Sequence, residues 1–190
     1  DKDTETTIEV WAWNVAASHL QATVESFNKK YPKIKVNVTE FGGNAALKQK
    51  LFIALGANSD LPNLIQIEDV DVPLITENYH EFILDLKDKM PNNWSNIVAP
   101  SKISTSFDTT GKQVVMPFGI GIGVLFYRED LFNQAGIDIN SIITFEDYIS
   151  AGKRLKEKFP NITMTGLPFT QDENLFRCLL VANKSYYLNN

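Results

Sequence analysis

The sequence predicts an α/β fold built on a parallel sheet, and three observations carry that expectation. Strand-like runs at 7–12, 34–39 and 64–67 each end in mixed aromatic and polar residues: Trp13 and Asn14, then Glu40, Phe41, Gly42 and Gly43, then Glu68 and Asp69. Helical patterns separate the runs, so the order is β-α-β-α-β, which right-handed crossovers turn into parallel neighbours. Ligands of such sheets bind beyond the carboxyl ends of the strands. That rule gathers Trp13, Glu40 and Asp69 into one place, an aromatic face flanked by carboxylates and suited to a small polyhydroxylated or otherwise polar molecule.

Each element has its own signal. After Asn14, the apolar positions Leu20, Val24, Phe27 and Tyr31 form one helical stripe that Pro32 stops. The second strand alternates, with Ile34, Val36 and Val38 against Lys35, Asn37 and Thr39. Gly42 and Gly43 allow a turn, Asn44 is placed to cap, and Leu47, Leu51, Ala54 and Leu55 mark the next amphipathic helix, broken at 59–62. From 70 to 110 the pattern gives short helices joined by loops, interrupted at Pro73, Pro91 and Pro100. Residues 107–113 read as a strand pair closed by a glycine-containing turn, and 114–127 as extended and apolar. A short helix at 128–136 stops at Gly136. Thr144 caps a longer helix with Asp147 in capping-box position, its buried face being Phe145, Tyr148, Ile149, Gly152, Leu155 and Phe159, and Pro160 ends it. A strand from Met164 to Phe169 then leads through 171–174 into a closing helix.

Composition excludes several functions. The 190 residues are 44% hydrophobic and 22% charged, as in globular proteins, and the net charge of -5 is spread along the chain. With no basic run, there is little attraction for nucleic acid or anionic lipid, and no apolar stretch nears the roughly 20 residues that span a bilayer. Cys178 stands alone on an apolar helix face and is expected in the core. His19 and His80 have no metal-ligand partner at helical spacing, so no metal or cofactor is expected. The chain opens on a polar lead-in, of the kind left when a signal or lipoprotein leader has been removed.

Chemical motifs are equally sparse. Glycines 119, 121 and 123 have the wrong spacing for a dinucleotide fingerprint and feed an extended run instead of a helix N-terminus; they fit a crossing where segments pack closely or flex. No nucleophile elbow, paired zinc histidines or P-loop occurs, and acidic pairs such as Asp69 with Asp71 or Asp172 with Glu173 are ordinary in solvated loops, so no catalytic residue is assigned. Trp11 and Trp13 share a face of the first strand. Trp11 is expected in the core; for Trp13 the residues leave open both core packing and a ring offered to a ligand. Glu40 and Asp69 are likewise either loop carboxylates or ligand contacts.

The order of motifs resembles the extracellular solute-binding proteins of ABC transporters, in particular the sugar-binding group. The resemblance rests on IleGluValTrpAlaTrp (8–13), PheAsnLysLysTyrProLysIleLysVal (27–36), LeuProAsnLeuIleGlnIleGluAsp (61–69), MetProPheGly (116–119), TyrArgGluAspLeuPheAsnGlnAlaGlyIle (127–137) and ThrPheGluAspTyr (144–148). It implies a periplasmic-binding-protein-like fold of two α/β lobes with the sugar held in the cleft between them. It implies a first lobe at 1–117 and, at 118–190, the crossing segment and the beginning of the second lobe. Because such proteins are about twice as long, it also implies that this chain corresponds to their N-terminal half. Carried over by motif, Trp13, Asn14, Glu40, Phe41, and Asp69 or Asp71 fall where first-lobe contacts occur. Phe118 and Gly119 fall on the crossing segment, and Asp172 and Asn174 where the second lobe adds contacts. The glycine run after Pro117 departs from the polar or aromatic residues of relatives. The implied function is a non-enzymatic receptor delivering a sugar or oligosaccharide to ABC permease subunits; the alternatives are a receptor for another small polar solute, or a carbohydrate-active α/β enzyme.

Overall fold

The computed structural model describes residues 5–166 and 174–184, which fall into two compact units, 1–121 and 122–190. In the first unit a three-stranded parallel sheet runs in the order β2-β1-β3, with β1 at Thr6–Trp13, β2 at Ile34–Phe41 and β3 at Leu64–Ile65. Helices α1 (Asn14–Lys30) and α2 (Asn44–Ala57) connect the strands. Because β1 is central, both of its faces are covered. Val10, Trp11, Ala12 and Trp13 are all buried, so the end of this strand does not alternate in exposure.

One face carries Trp11 and Trp13 into a cluster with Leu47, Leu51, Ala54 and Leu55 of α2 and with Ile75. The stripe of α1 is half-buried at Leu20, Val24 and Phe27, and its small Ala17 is completely enclosed. Asn58, at φ 48, ends α2 in the left-handed conformation, and its N–H donates to the Leu55 carbonyl at 3.2 Å.

β3 is shorter than its sequence suggests, because side-chain amides take over the ladder at both ends. Asn63 donates its N–H to the Glu9 carbonyl (2.9 Å), and its Oδ1 accepts the Glu9 N–H (2.8 Å). At the other end the Gln66 N–H donates to the Trp11 carbonyl (2.8 Å), and Gln66 Oε1 accepts the Trp13 N–H (2.9 Å). The last backbone donor of β1 is thus satisfied without a third strand residue beside it.

The rest of the first unit is irregular, with short helices α3 (Val72–Asn78), α4 (Trp94–Ile97) and α5 (Pro100–Ser104). Pro73 and Pro100 lie in first turns, where the missing N–H costs nothing, so they begin helices and do not interrupt them. The turn at 107–113 is a single antiparallel bridge, Phe107 to Gln113, with Gly111 at φ 83. Asp108 accepts from the Thr110 hydroxyl (2.8 Å) and from the Thr110 and Lys112 N–H groups, bonds that hold its carboxyl below the usual range.

The segment 114–127 belongs to no regular element, and its apolar side chains face solvent: Met116, Phe118, Ile120, Ile122, Val124, Leu125 and Phe126 are each at least 49% exposed.

In the second unit, α6 (Glu129–Gln134) ends at Gly136, whose φ of 65 lets the Ile137 N–H reach back to the Phe132 carbonyl at 2.9 Å. Phe132 and Ile137 pack with Ala151 and Leu155 of α7 (Phe145–Lys158). The buried face of α7 matches the expected one in part, with Leu155 buried and Phe159 packed against the same cluster. Phe145 and Ile149 are 44% and 54% exposed, and Ala151 takes the place given to them. Gly152 lies where a Cβ would meet the Met164 side chain at 3.1 Å, tighter than ordinary packing, so a larger residue there would require Met164 to shift. Met164, Thr165 and Gly166 are not in a strand, and the rest of the strand expected there lies outside the described residues. Cys178, expected in the core, is exposed on α8 (Asn174–Ala182), because an apolar pattern fixes the face of a helix but not its cover.

The Thr144 cap has the predicted form. Its hydroxyl accepts the Asp147 N–H (3.1 Å), and Asp147 accepts the Thr144 N–H (2.8 Å). The Thr144 hydroxyl, its N–H and the Ile143 N–H hold the Asp147 carboxyl below its ordinary pKa. A depressed carboxylate adds stability above its unfolded pKa, and that contribution disappears as pH falls through the folded value. Thr144→Ala should destabilise the unit containing α7 by about 1 kcal/mol in urea titrations. It should also flatten the acid limb of stability against pH.

Candidate functional site

The carboxyl edge of the sheet is shaped by how abruptly each strand becomes a helix. β1 ends at Trp13 and α1 begins at Asn14 with no residue between, a reversal made at the Asn14 φ of 51. Asn tolerates this left-handed conformation better than branched residues. β2 reaches α2 through Gly42 and Gly43. Both helix N-termini therefore lie at the carboxyl edge. Neither first turn holds an acidic residue or a side-chain cap, so the N–H groups there have no side-chain acceptor. We expect Asn14→Ala to cost about 1 kcal/mol in urea unfolding, with Asn14→Gly close to neutral because glycine adopts the same φ freely.

Asn44 does not cap. Its amide donates instead to Asp71 Oδ2 at 3.1 Å, while Lys48, one turn further along α2, donates to Asp71 Oδ1 at 2.8 Å. Asp71 is 8% exposed in a 3-10 turn at Asp69–Asp71, so its charge is balanced on the spot. Asp69 accepts from Lys102 of α5 at 2.5 Å. Both carboxylates at the end of the third strand are thus held by lysines. Lys48 had a sequence signal, since it follows Asn44 at helical spacing; Lys102 had none, being 33 residues from its partner.

The aromatic residues are placed differently from the carboxylates. Trp13 and Phe41 are register partners on neighbouring strands and share the face that packs on α2. The Trp13 residue is only 8% exposed, and Phe41 tilts against Trp11 with ring centroids 5.4 Å apart. The sheet edge therefore has an aromatic floor, packed from below by Leu47 and Leu51. Glu40 pairs in register with Ala12, and alternation puts it on the α1 face, opposite Trp13 and Phe41. It is exposed, with no hydrogen-bond or ion-pair partner among the described residues.

Of the remaining expected contacts, Phe118 is 58% exposed and Gly119 lies beside it in the irregular segment. Asp172 and the Asn174 side chain lie outside what is described. His19 and His80 are exposed, and among the described residues no His, Cys, Asp and Glu cluster could hold a metal. No helix among them is long and apolar enough to cross a membrane.

Parallel strands thus end at this edge in two helix N-termini without side-chain caps, the kind of edge beyond which open α/β sheets bind their ligands. Residues 12–177 match the family model of bacterial extracellular solute-binding proteins, and the chain belongs to that family. Across 99% of its length it is 24% identical to an arabinooligosaccharide-binding protein of Halalkalibacterium halodurans. Across 96% it is 27% identical to a lactose-binding protein of Rhizobium radiobacter. It spans 42% and 43% of those two proteins. Among solved structures it resembles an ABC transporter associated binding protein from B. animalis subsp. lactis in complex with beta-1,6-galactobiose. There the TM-score is 0.64 at 29% identity, over 82% of this chain and 36% of that one. The GacH receptor of Streptomyces glaucescens shares the fold with a TM-score of 0.65 at 21% identity, over 83% and 40% of the two chains. The fold is that of the two-lobed periplasmic binding proteins, of which the chain spans well under half.

Proposed function

We propose that the protein is a receptor that captures an extracellular sugar or oligosaccharide and passes it, chemically unchanged, to the permease subunits of an ABC importer. The observation that carries the reading is the carboxyl edge of the sheet. Lysine-held Asp69 and Asp71, exposed Asn14, the uncapped starts of α1 and α2 and an aromatic floor lie there, with exposed Glu40 at the same edge on the opposite face of the sheet. Carboxylates and amides match the donors and acceptors of hydroxyl groups, and N–H groups at a helix start add donors for sugar oxygens.

Relatives named for arabinooligosaccharides and lactose support a carbohydrate ligand. In this reading 1–117 is the first lobe and 118–190 the crossing and the beginning of the second. Phe118, Gly119, Asp172 and Asn174 add contacts from that side, and lobe closure encloses the ligand. The protein works outside the cytoplasm, as a cell-surface lipoprotein or in a periplasm.

A thermal-shift screen of the intact protein against oligosaccharides, followed by chromatography of the recovered ligand, tests this. A receptor raises its melting temperature with a sugar and returns that sugar intact. Hydrolysed or transglycosylated product would make it an enzyme, and stabilisation only by other solutes would change the ligand class.

A further inference from the structure

Two side-chain amides extend the β1 ladder beyond β3, and only one of them lies at the carboxyl edge. Asn63 Oδ1 accepts the Glu9 N–H at the amino end, and Gln66 Oε1 accepts the Trp13 N–H at the carboxyl end. A backbone N–H can be met only by the oxygen of a carboxamide, so the orientation of the Gln66 amide is set by Trp13. Bonds to a strand N–H run in the plane of the sheet, which puts this carboxamide at the strand end itself and not over either face. The Gln66 backbone is anchored as well, its N–H donating to the Trp11 carbonyl at 2.8 Å. What remains is Nε2, whose two hydrogens meet no acceptor among the described residues. Gln66 is half-buried and this nitrogen is not enclosed, whereas the equally unpartnered Nε2 of Gln113 is sealed inside a residue 2% exposed.

We infer that Gln66 is a ligand-binding residue of this receptor, its Oε1 fixing the end of β1 while its Nε2 donates to an oxygen of the sugar; the inference rests on the sugar-receptor reading above. Ring and glycosidic oxygens only accept hydrogen bonds, so a sugar needs donors that carboxylates cannot supply. A side chain already ordered by its bond to Trp13 also loses little rotamer freedom when the ligand arrives.

The test is calorimetry on the intact protein with lactose, arabinobiose and galactobiose, beside urea unfolding of the same samples. Gln66→Glu keeps an oxygen for the Trp13 N–H and replaces the amide nitrogen with a second acceptor. It should unfold at the parent midpoint while binding the best of these sugars about tenfold more weakly, the cost of losing one donor and setting an acceptor against an acceptor. Asn63→Asp makes the same exchange at the amino end of the sheet and should leave the affinity unchanged. Equal affinity in Gln66→Glu, an equal loss in Asn63→Asp, or a urea midpoint that falls together with the affinity would overturn the inference while leaving a sugar receptor in place. Failure of all three sugars to bind the parent would remove the sugar reading itself, and this inference with it.

Discussion

Trp13→Ala should cost about 3–5 kcal/mol of folding stability, the ordinary penalty for truncating a buried tryptophan to a methyl group. Trp13 is 8% exposed and clusters with Leu47, Leu51, Ala54, Leu55 and Ile75, so removing the indole opens a cavity between the sheet and α2. A domain is stable by about 5–15 kcal/mol, which makes this a fifth or more of the total. The backbone hydrogen bond from the Trp13 N–H to Gln66 does not depend on the indole, so the loss is one of packing. Weakened sugar binding in this variant would therefore report a damaged floor and could not be assigned to lost stacking. Trp13→Phe separates the two, because it keeps an aromatic body in the cluster and should cost less than half as much. Urea unfolding of parent and variants decides the matter: a loss below about 1 kcal/mol for Trp13→Ala would place the ring at the surface.

The sequence made the first unit legible where local pattern and chain order suffice. Period-two alternation in 34–39 and the spacing of Leu47, Leu51 and Ala54 identified β2 and α2, and the ordering rule made the sheet parallel. Gly136 and the pair Thr144 and Asp147 are local capping signals, and both have the expected geometry. The exposure of Trp13 could not be read in the same way. Alternation says which face a residue occupies, but α2 decides whether the end of that face is covered. Chain order also gathered the strand ends without separating the two faces there, and so joined Glu40 to Trp13 although register sets them on opposite faces. The pairing of Asp69 with Lys102 spans 33 residues and two irregular segments, beyond any periodic signal. Asn44 illustrates position: it lies inside α2, after Gly43, so its amide nitrogen donates to Asp71 while its oxygen caps nothing.

Residues 1–190 prepared alone should self-associate, and the segment responsible should be 114–127. No charged residue occurs between Lys112 and Arg128, and within that span Ile120, Ile122, Val124, Leu125 and Phe126 are 52%, 73%, 58%, 49% and 90% exposed. Branched and aromatic residues with open backbone groups and no charge are the composition that pairs edge to edge between chains. Contiguous apolar surface of this kind is rare on monomers. The net charge of -5 opposes association only at a distance, because salt screens it within about 10 Å. Sedimentation velocity at about 100 μM, a concentration at which exposed apolar segments associate, should show species larger than the monomer. The double variant Ile122→Lys and Phe126→Lys should sediment as a monomer, since a lysine on a strand edge must lose its hydration to be buried in a contact. The two positions are already exposed, so the substitutions should leave the urea midpoint of the chain within about 0.5 kcal/mol of the parent. A parent chain that stays monomeric at that concentration, or a double variant that associates as strongly as the parent, would mean that another surface governs its assembly.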